Sequence, residues 1–184
     1  ISNTNIIRRT YLYEQEGLPP SNLWIDLEET SHNRRAKYDL VNIFDSSSSK
    51  DVFQTPKPVK FLEKIMQIAT DENSIILDSF AGSGTTAHAV LNLNKNDGGN
   101  RKFILVEMED YAETITAERV KRVIKGYGEG KKSMEGTGGD FSYYTLGPSI
   151  FKDQDILNEE ISAEKIEEYV WFSETKLPYL SQDE

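Results

Sequence analysis

The stretch Ile75-Ile76-Leu77-Asp78-Ser79-Phe80-Ala81-Gly82-Ser83-Gly84-Thr85-Thr86 constrains the fold more than any other part of the chain. An apolar run, an acid, a glycine turn and a helical pattern (Ala87, His88, Ala89, Val90, Leu91) follow in that order. A short apolar run bounded by turn residues is the signature of a strand buried in a parallel sheet. A strand, a glycine turn and a helix start together present backbone N–H groups and a helix N-terminus to an anionic ligand. Asp78 stands at the strand's end, where an open α/β sheet binds ligands. The glycines let a ligand approach the backbone. The chain is therefore expected to be α/β and to carry a small-molecule cofactor site.

The surrounding sequence extends this unit. Val59, Leu62, Ile65, Met66 and Ala69 recur at helical spacing behind Pro56 and Pro58 and predict a helix ending near Thr70. The helix after the glycine turn should run to about Asn94, with a turn at residues 96–100. Phe103-Ile104-Leu105-Val106 reads as a second buried strand ending at Glu107, and Ala112, Ile115, Ala117, Val120 and Ile124 as a further helix. This βαβα order implies a parallel crossover. Upstream, residues 6–13 read as a strand, 17–20 as a turn, 24–27 as a short extended piece and 36–44 as a helix, with a serine loop at 46–49. Downstream, the glycine-rich residues 126–140 are expected to be mobile and 141–146 to form a strand. Residues 162–172 should form an amphipathic helix with Ser162 as N-cap and Ile166, Tyr169 and Val170 as its apolar face. Three parts are thus expected: 1–50, a cofactor-binding core at 51–127, and a linker, strand and helix at 128–184.

Composition narrows the function. With no cysteine there is no disulfide, thiol nucleophile or thiolate metal site. His32 and His88 share no metal-ligand spacing, so no metal site is expected, and His88 reads as a packed or exposed polar residue. No apolar run approaches the roughly 20 residues of a membrane span, and no signal peptide is visible, so the expected setting is cytoplasmic, with no membrane partner. The net charge of -10 argues against strong nucleic-acid binding by this chain alone, because phosphate contacts need Lys and Arg. Arg34, Arg35 and Lys37 read as a solvated helix face, and Trp171 and Phe172 as core or interface rather than a base-stacking platform.

Two acids discriminate among cofactors. The turn lacks the Gly-Lys-Ser/Thr ending of a phosphate loop, and Ala87 holds the place of the third glycine of a dinucleotide fingerprint. Asp78 would repel a pyrophosphate but suits a ligand with an ammonium group, which disfavours a nicotinamide oxidoreductase. Glu107 at the end of the next strand can accept hydrogen bonds from both ribose hydroxyls of an adenosine.

These motifs resemble those of the DNA amino-methyltransferases. Asp78-Ser-Phe80-Ala-Gly82-Ser-Gly84-Thr85-Thr86 looks like their first motif, residues 103–107 like their second, and Phe53-Gln54-Thr55-Pro56-Lys57-Pro58 like the segment called motif ten. Motif ten just before motif one is the β-class order. The chain is most similar to the methylation (Mod) subunits of Type III restriction-modification systems, which are adenine-specific. The resemblance implies a Rossmann-like methyltransferase fold, incomplete here, that binds S-adenosylmethionine through Phe53, Thr55, Lys57, Asp78, Phe80, Gly82, Gly84, Thr85, Thr86 and Glu107. It also implies, for the parent protein, DNA as substrate, a Mod homodimer and a restriction (Res) subunit as partner.

The chain departs from the family at the catalytic motif, Asp-Pro-Pro-Tyr or a variant, which supplies a polar acceptor and a ring to stack on a flipped base. Only Leu18-Pro19-Pro20-Ser21 occurs here, and neither Leu18 nor Ser21 can fill those roles. In the β-class order the motif would lie upstream of Ile1, so a C-terminal fragment with no catalytic residues of its own is expected. The alternative function is a non-catalytic interaction or assembly module left from a split methyltransferase gene.

Overall fold

The computed structural model describes residues 22–46, 48, 52–152 and 156–179. The strand expected at 6–13, the turn at 17–20 and residues 47 and 49 of the serine loop lie outside the described residues. The chain divides into two compact units, residues 1–141 and 142–184.

The first unit is built around a parallel pair of strands. β1 (Ile75–Asp78) and β2 (Lys102–Leu105) pair in register, Ile76 opposite Phe103 and Asp78 opposite Leu105. Four helices accompany this pair in the unit: α1 (Leu27–Thr30), α2 (Asn33–Phe44), α3 (Val59–Ala69) and α4 (Thr85–Asp97). α4 is the crossover between the strands, and its first seven residues and Leu93 are buried. One side meets α3 through Val59, Met66, Ala89, Val90 and Leu93, with Leu62, Ile76 and Phe103 packed against them. The other side meets α5 (Glu118–Lys125) through Ala87, Leu91, Val120 and Val123, with Leu105, Ile124, Tyr127 and Phe141 behind. Burying a Val or Leu side chain contributes roughly 1.5–3 kcal/mol, so a charge at Val90, which is wholly buried, would break the unit.

Local chemistry sets the ends of these elements. Pro58 is extended and stands as the N-cap of α3. α4 starts after Gly84 and stops at Gly98, both in the left-handed region, three residues later than expected. Trp24 and Ile25 lead not into an extended piece but into α1, because the Asp26 carboxylate accepts the Glu28 amide at 2.8 Å and caps it. Trp24 lies edge-on to Phe61 of α3, 6.0 Å between centroids. α2 packs on α5, where Arg122 donates to the Ile43 carbonyl at 3.1 Å and covers the Phe44 ring.

The helix expected at 112–124 begins instead as a π-helical turn, Ala112–Ala117, and continues as α5. The glycine-rich segment expected to be mobile is a small hairpin: β3 (Gly126–Tyr127) pairs antiparallel with β4 (Met134–Glu135) around a 3-10 turn at Gly130–Lys132. Its glycines have a packing reason. A Cβ on Gly136 would sit 2.3 Å from the Ile124 carbonyl oxygen, so the hairpin can lie on the end of α5 only without one.

In the second unit, residues 141–146 do not form the expected strand. No described strand lies alongside to accept their ladder bonds, and Tyr144 and Leu146 are exposed. Phe151 and Leu157 form one isolated bridge. Helix α6 (Ala163–Thr175) follows Ser162 as expected, but the Ser162 side chain makes no capping bond. Its anticipated apolar face is not a core: Ile166 is half-buried, while Tyr169, Val170, Trp171 and Phe172 are exposed. Among the described residues no helix is long and apolar enough to cross a membrane.

Candidate functional site at the strand ends

The ends of β1 and β2 bring the two predicted acids to one place. The chain crosses between the strand ends by reciprocal bonds: the Val106 amide donates to the Asp78 carbonyl at 2.9 Å, and the Ala81 amide to the Val106 carbonyl at 3.0 Å. The glycine turn is thereby sewn to the residue just before Glu107.

Glu107 closes the connection. One carboxylate oxygen accepts the Gly82 amide at 2.8 Å, and the other accepts the Met108 and Glu109 amides at 2.9 and 3.1 Å. Burial pushes its pKa up, but those three amides and the Tyr111 hydroxyl outweigh it and leave the carboxyl below its usual range. Tyr111 shows the counterpart: burial, then the Glu107 charge, raises its phenol. Glu107 is therefore ionised at neutral pH. Asp78 faces the turn from the other strand. It accepts the Phe80 amide at 3.1 Å through one oxygen and the Thr86 hydroxyl at 2.5 Å through the other.

The two glycines serve the turn itself. Gly82 and Gly84 have φ of +52° and +74°, where side chains are strained. A Cβ on Gly84 would come 3.0 Å from the Thr116 carbonyl oxygen, and one on Gly82 would come 3.3 Å from the Phe53 ring. Phe53 thus lies against the turn, and its ring also meets Tyr111 edge-on at 5.3 Å. Of the other motif-ten residues, Thr55 and Lys57 are exposed, and the Lys57 carbonyl accepts the Thr85 hydroxyl at 3.4 Å. Thr85 and Thr86 are buried, and their hydroxyls are spent inside the protein. Phe80 is 87% exposed and stands free beside the acids.

Three residues that sequence reasoning passed over complete the site. Thr116, on the π turn, donates to the Gly82 carbonyl at 2.6 Å. Arg119 reaches under the turn to Ser83 and Thr85. Tyr111 backs Glu107 and Phe53. One signal was readable: Thr116, Arg119, Val120 and Val123 share one helical face, so a basic residue lies in register with apolar ones. His88 is buried, and burial, then the Arg119 charge, drives its pKa well below 6.5. Among the described residues no cluster of His, Asp and Glu could hold a metal.

Two carboxylates at adjacent strand ends, a left-handed glycine turn opening a helix, and aromatic rings beside it define a class: an α/β protein with acids and a glycine turn gathered at the carboxyl end of its parallel strands. A model of the DNA methylase family for N6 and N4 amino-methyltransferases matches residues 2–118. The chain belongs to that DNA methylase family, and its α/β core is a part of the Rossmann-like methyltransferase fold. It is 41% identical over 102 residues to the Type III restriction-modification enzyme StyLTI Mod subunit of Salmonella typhimurium, covering 55% of this chain and 15% of that one. It is 38% identical over 99 residues to the Type II methyltransferase M.KpnI of Klebsiella pneumoniae, covering 54% and 22%. The probable Type III HindVI Mod subunit of Haemophilus influenzae is 33% identical over 143 residues, covering 77% and 16%. The chain therefore spans only about a sixth to a fifth of the length of these relatives.

Proposed function

We propose that this chain is the S-adenosylmethionine-binding portion of a site-specific DNA adenine methyltransferase of a restriction-modification system, unable to methylate DNA alone. The observation that carries the cofactor reading is the convergence of Asp78 and Glu107 on one glycine turn at adjacent parallel strand ends. The donor set fits the ligand. Asp78 meets the ammonium of the amino-acid end, and Glu107, held ionised, accepts the ribose hydroxyls. Phe80 covers one side of the ligand, and Phe53 with Thr55 and Lys57 approaches from the other. The turn's backbone and the start of α4 receive the carboxylate, where the helix end favours an anion. Thr85 and Thr86 act through their backbone, since their hydroxyls are engaged elsewhere. S-adenosylmethionine, when bound, supplies an electrophilic methyl group on sulfur.

The chain carries no acceptor for the target amino group and no ring to stack on a flipped base, because Leu18 and Ser21 stand where such residues would flank Pro-Pro. DNA, a second Mod copy and a restriction subunit are partners of the whole protein in this reading. The alternative, an assembly module without catalysis, is favoured by one observation: Ile75, Leu77, Ile104 and Val106 leave an apolar sheet face bare among the described residues. Transfer of tritium from labelled S-adenosylmethionine to random duplex DNA tests the reading. The 184-residue chain should show none above a Gly82/Gly84 double-variant control, and adding a separately expressed upstream half should restore it. Transfer by the chain alone would mean that it holds catalytic residues of its own.

A further inference from the structure

Arg119 is the most deeply buried charge among the described residues, 1% exposed, and it has no carboxylate within ion-pair distance there. Every group it touches is neutral. Its Nη1 donates to the Ser83 carbonyl at 3.1 Å, the Ser83 hydroxyl at 3.0 Å and the Thr85 hydroxyl at 2.9 Å. Its Nη2 lies 3.2 Å from His88 Nδ1, which accepts in the neutral ring, and its Nε has no partner. Asp39, the nearest acid that acts on it, is held by Arg35 at 3.0 Å. An unpaired buried cation is costly to stability, and a neutral residue would be cheaper for holding a turn. The charge therefore calls for a second reason.

We propose that Arg119 is a positioning residue for the anionic end of the ligand: it fixes the glycine turn from behind and makes the front of the turn favourable to a carboxylate. The inference rests on the cofactor reading above. Burial lowers its pKa only to about 10, opposed by Tyr127 and Asp39, so it is charged at neutral pH. The start of α4 lies at the same turn, and its dipole adds to the same sign. A buried charge acts through protein rather than water, so salt screens it little. Asp78 then meets the ammonium and Arg119, through the turn, favours the carboxylate.

The test compares S-adenosylhomocysteine with its decarboxylated analogue, which keeps the adenosine and the ammonium. Both are titrated into the ¹⁵N-labelled 184-residue chain, read by amide shifts. The wild type should prefer the carboxylate ligand about tenfold, and the preference should survive about 1 M salt because its source is buried. Arg119→Gln should reduce the preference to about twofold or less while retaining binding of the decarboxylated ligand, and Arg119→Lys should keep most of it. Equal wild-type binding, a preference abolished by salt, or an unchanged preference in a folded Arg119→Gln overturns the inference and leaves the cofactor reading standing. If both variants unfold, the wild-type ratio and its salt response decide. Binding of neither ligand to the folded wild type sinks the cofactor reading and this inference with it.

Discussion

The two faces of the β1–β2 pair are made of the same residue types and have opposite fates. On one face Ile76, Phe103 and Leu105 pack against α4 and its neighbours. On the other, Ile75 and Leu77 are each 64% exposed, Ile104 is 52% and Val106 46%. A strand with one wet face alternates apolar and polar residues, whereas these strands are apolar throughout, as in sheets covered on both sides. The strands are thus written for two-sided burial, and the described residues supply one side. The same contrast separates the two proposed activities. The proposed cofactor site, with Asp78 and Glu107, lies at the end of the covered, well-packed side, and methyl transfer is proposed to need parts beyond it.

Substitutions on the two faces should break the comparison if it is wrong. Leu93→Ala on the covered side should lower urea stability by about 2–5 kcal/mol, since Leu93 is nearly fully buried. Leu77→Ser and Ile104→Ser on the bare face should change it by no more than about 0.5 kcal/mol. A large loss from Ile104→Ser would show that the face is covered in solution. Between these lies Gly84→Val, which should cost roughly 1–2 kcal/mol for the left-handed backbone alone. It should also abolish ligand shifts. Its added side chain meets Thr116 behind the turn, so the loss comes from a displaced turn.

The contrast also explains what was legible in the sequence. The strand, the glycine turn and the Glu107 strand end could be read because backbone geometry dictates those residue types locally. Both acids lie at the turn. Arg119 was hidden because a basic residue on an amphipathic helix ordinarily points to water. Only the tertiary contact with Ser83 and Thr85 turns it inward. The hairpin at 126–135 was hidden for the opposite reason. A glycine-rich run reads as mobile unless one knows that the end of α5 demands close backbone approach. Residues 141–146 carry strand-like residues, but a strand needs a partner edge, which composition does not reveal.

Two smaller effects sharpen the site. Glu107→Gln should alter how stability depends on pH. Its folded pKa lies below the ordinary value of 4.5, so its contribution is present above that pH and is lost as pH falls through the folded value. Denaturation curves of wild type and Glu107→Gln should therefore differ at neutral pH and converge in acid. Removing the surface Arg35–Asp39 pair, of which Asp39 is half-buried, with Arg35→Ala should cost less than about 1 kcal/mol. A larger loss would mean that Asp39, which acts on Arg119 through its charge, matters more than an ordinary surface pair.

The most direct test of the central claim is a titration of the ¹⁵N-labelled chain with S-adenosylhomocysteine and, separately, with NAD. The account predicts saturable shifts from S-adenosylhomocysteine confined to Phe80, the Gly82–Thr86 turn and Glu107, weakened at least about tenfold by Glu107→Ala, and no comparable response to NAD. Equal response to NAD, or S-adenosylhomocysteine shifts that bypass the turn and ignore Glu107→Ala, would contradict it.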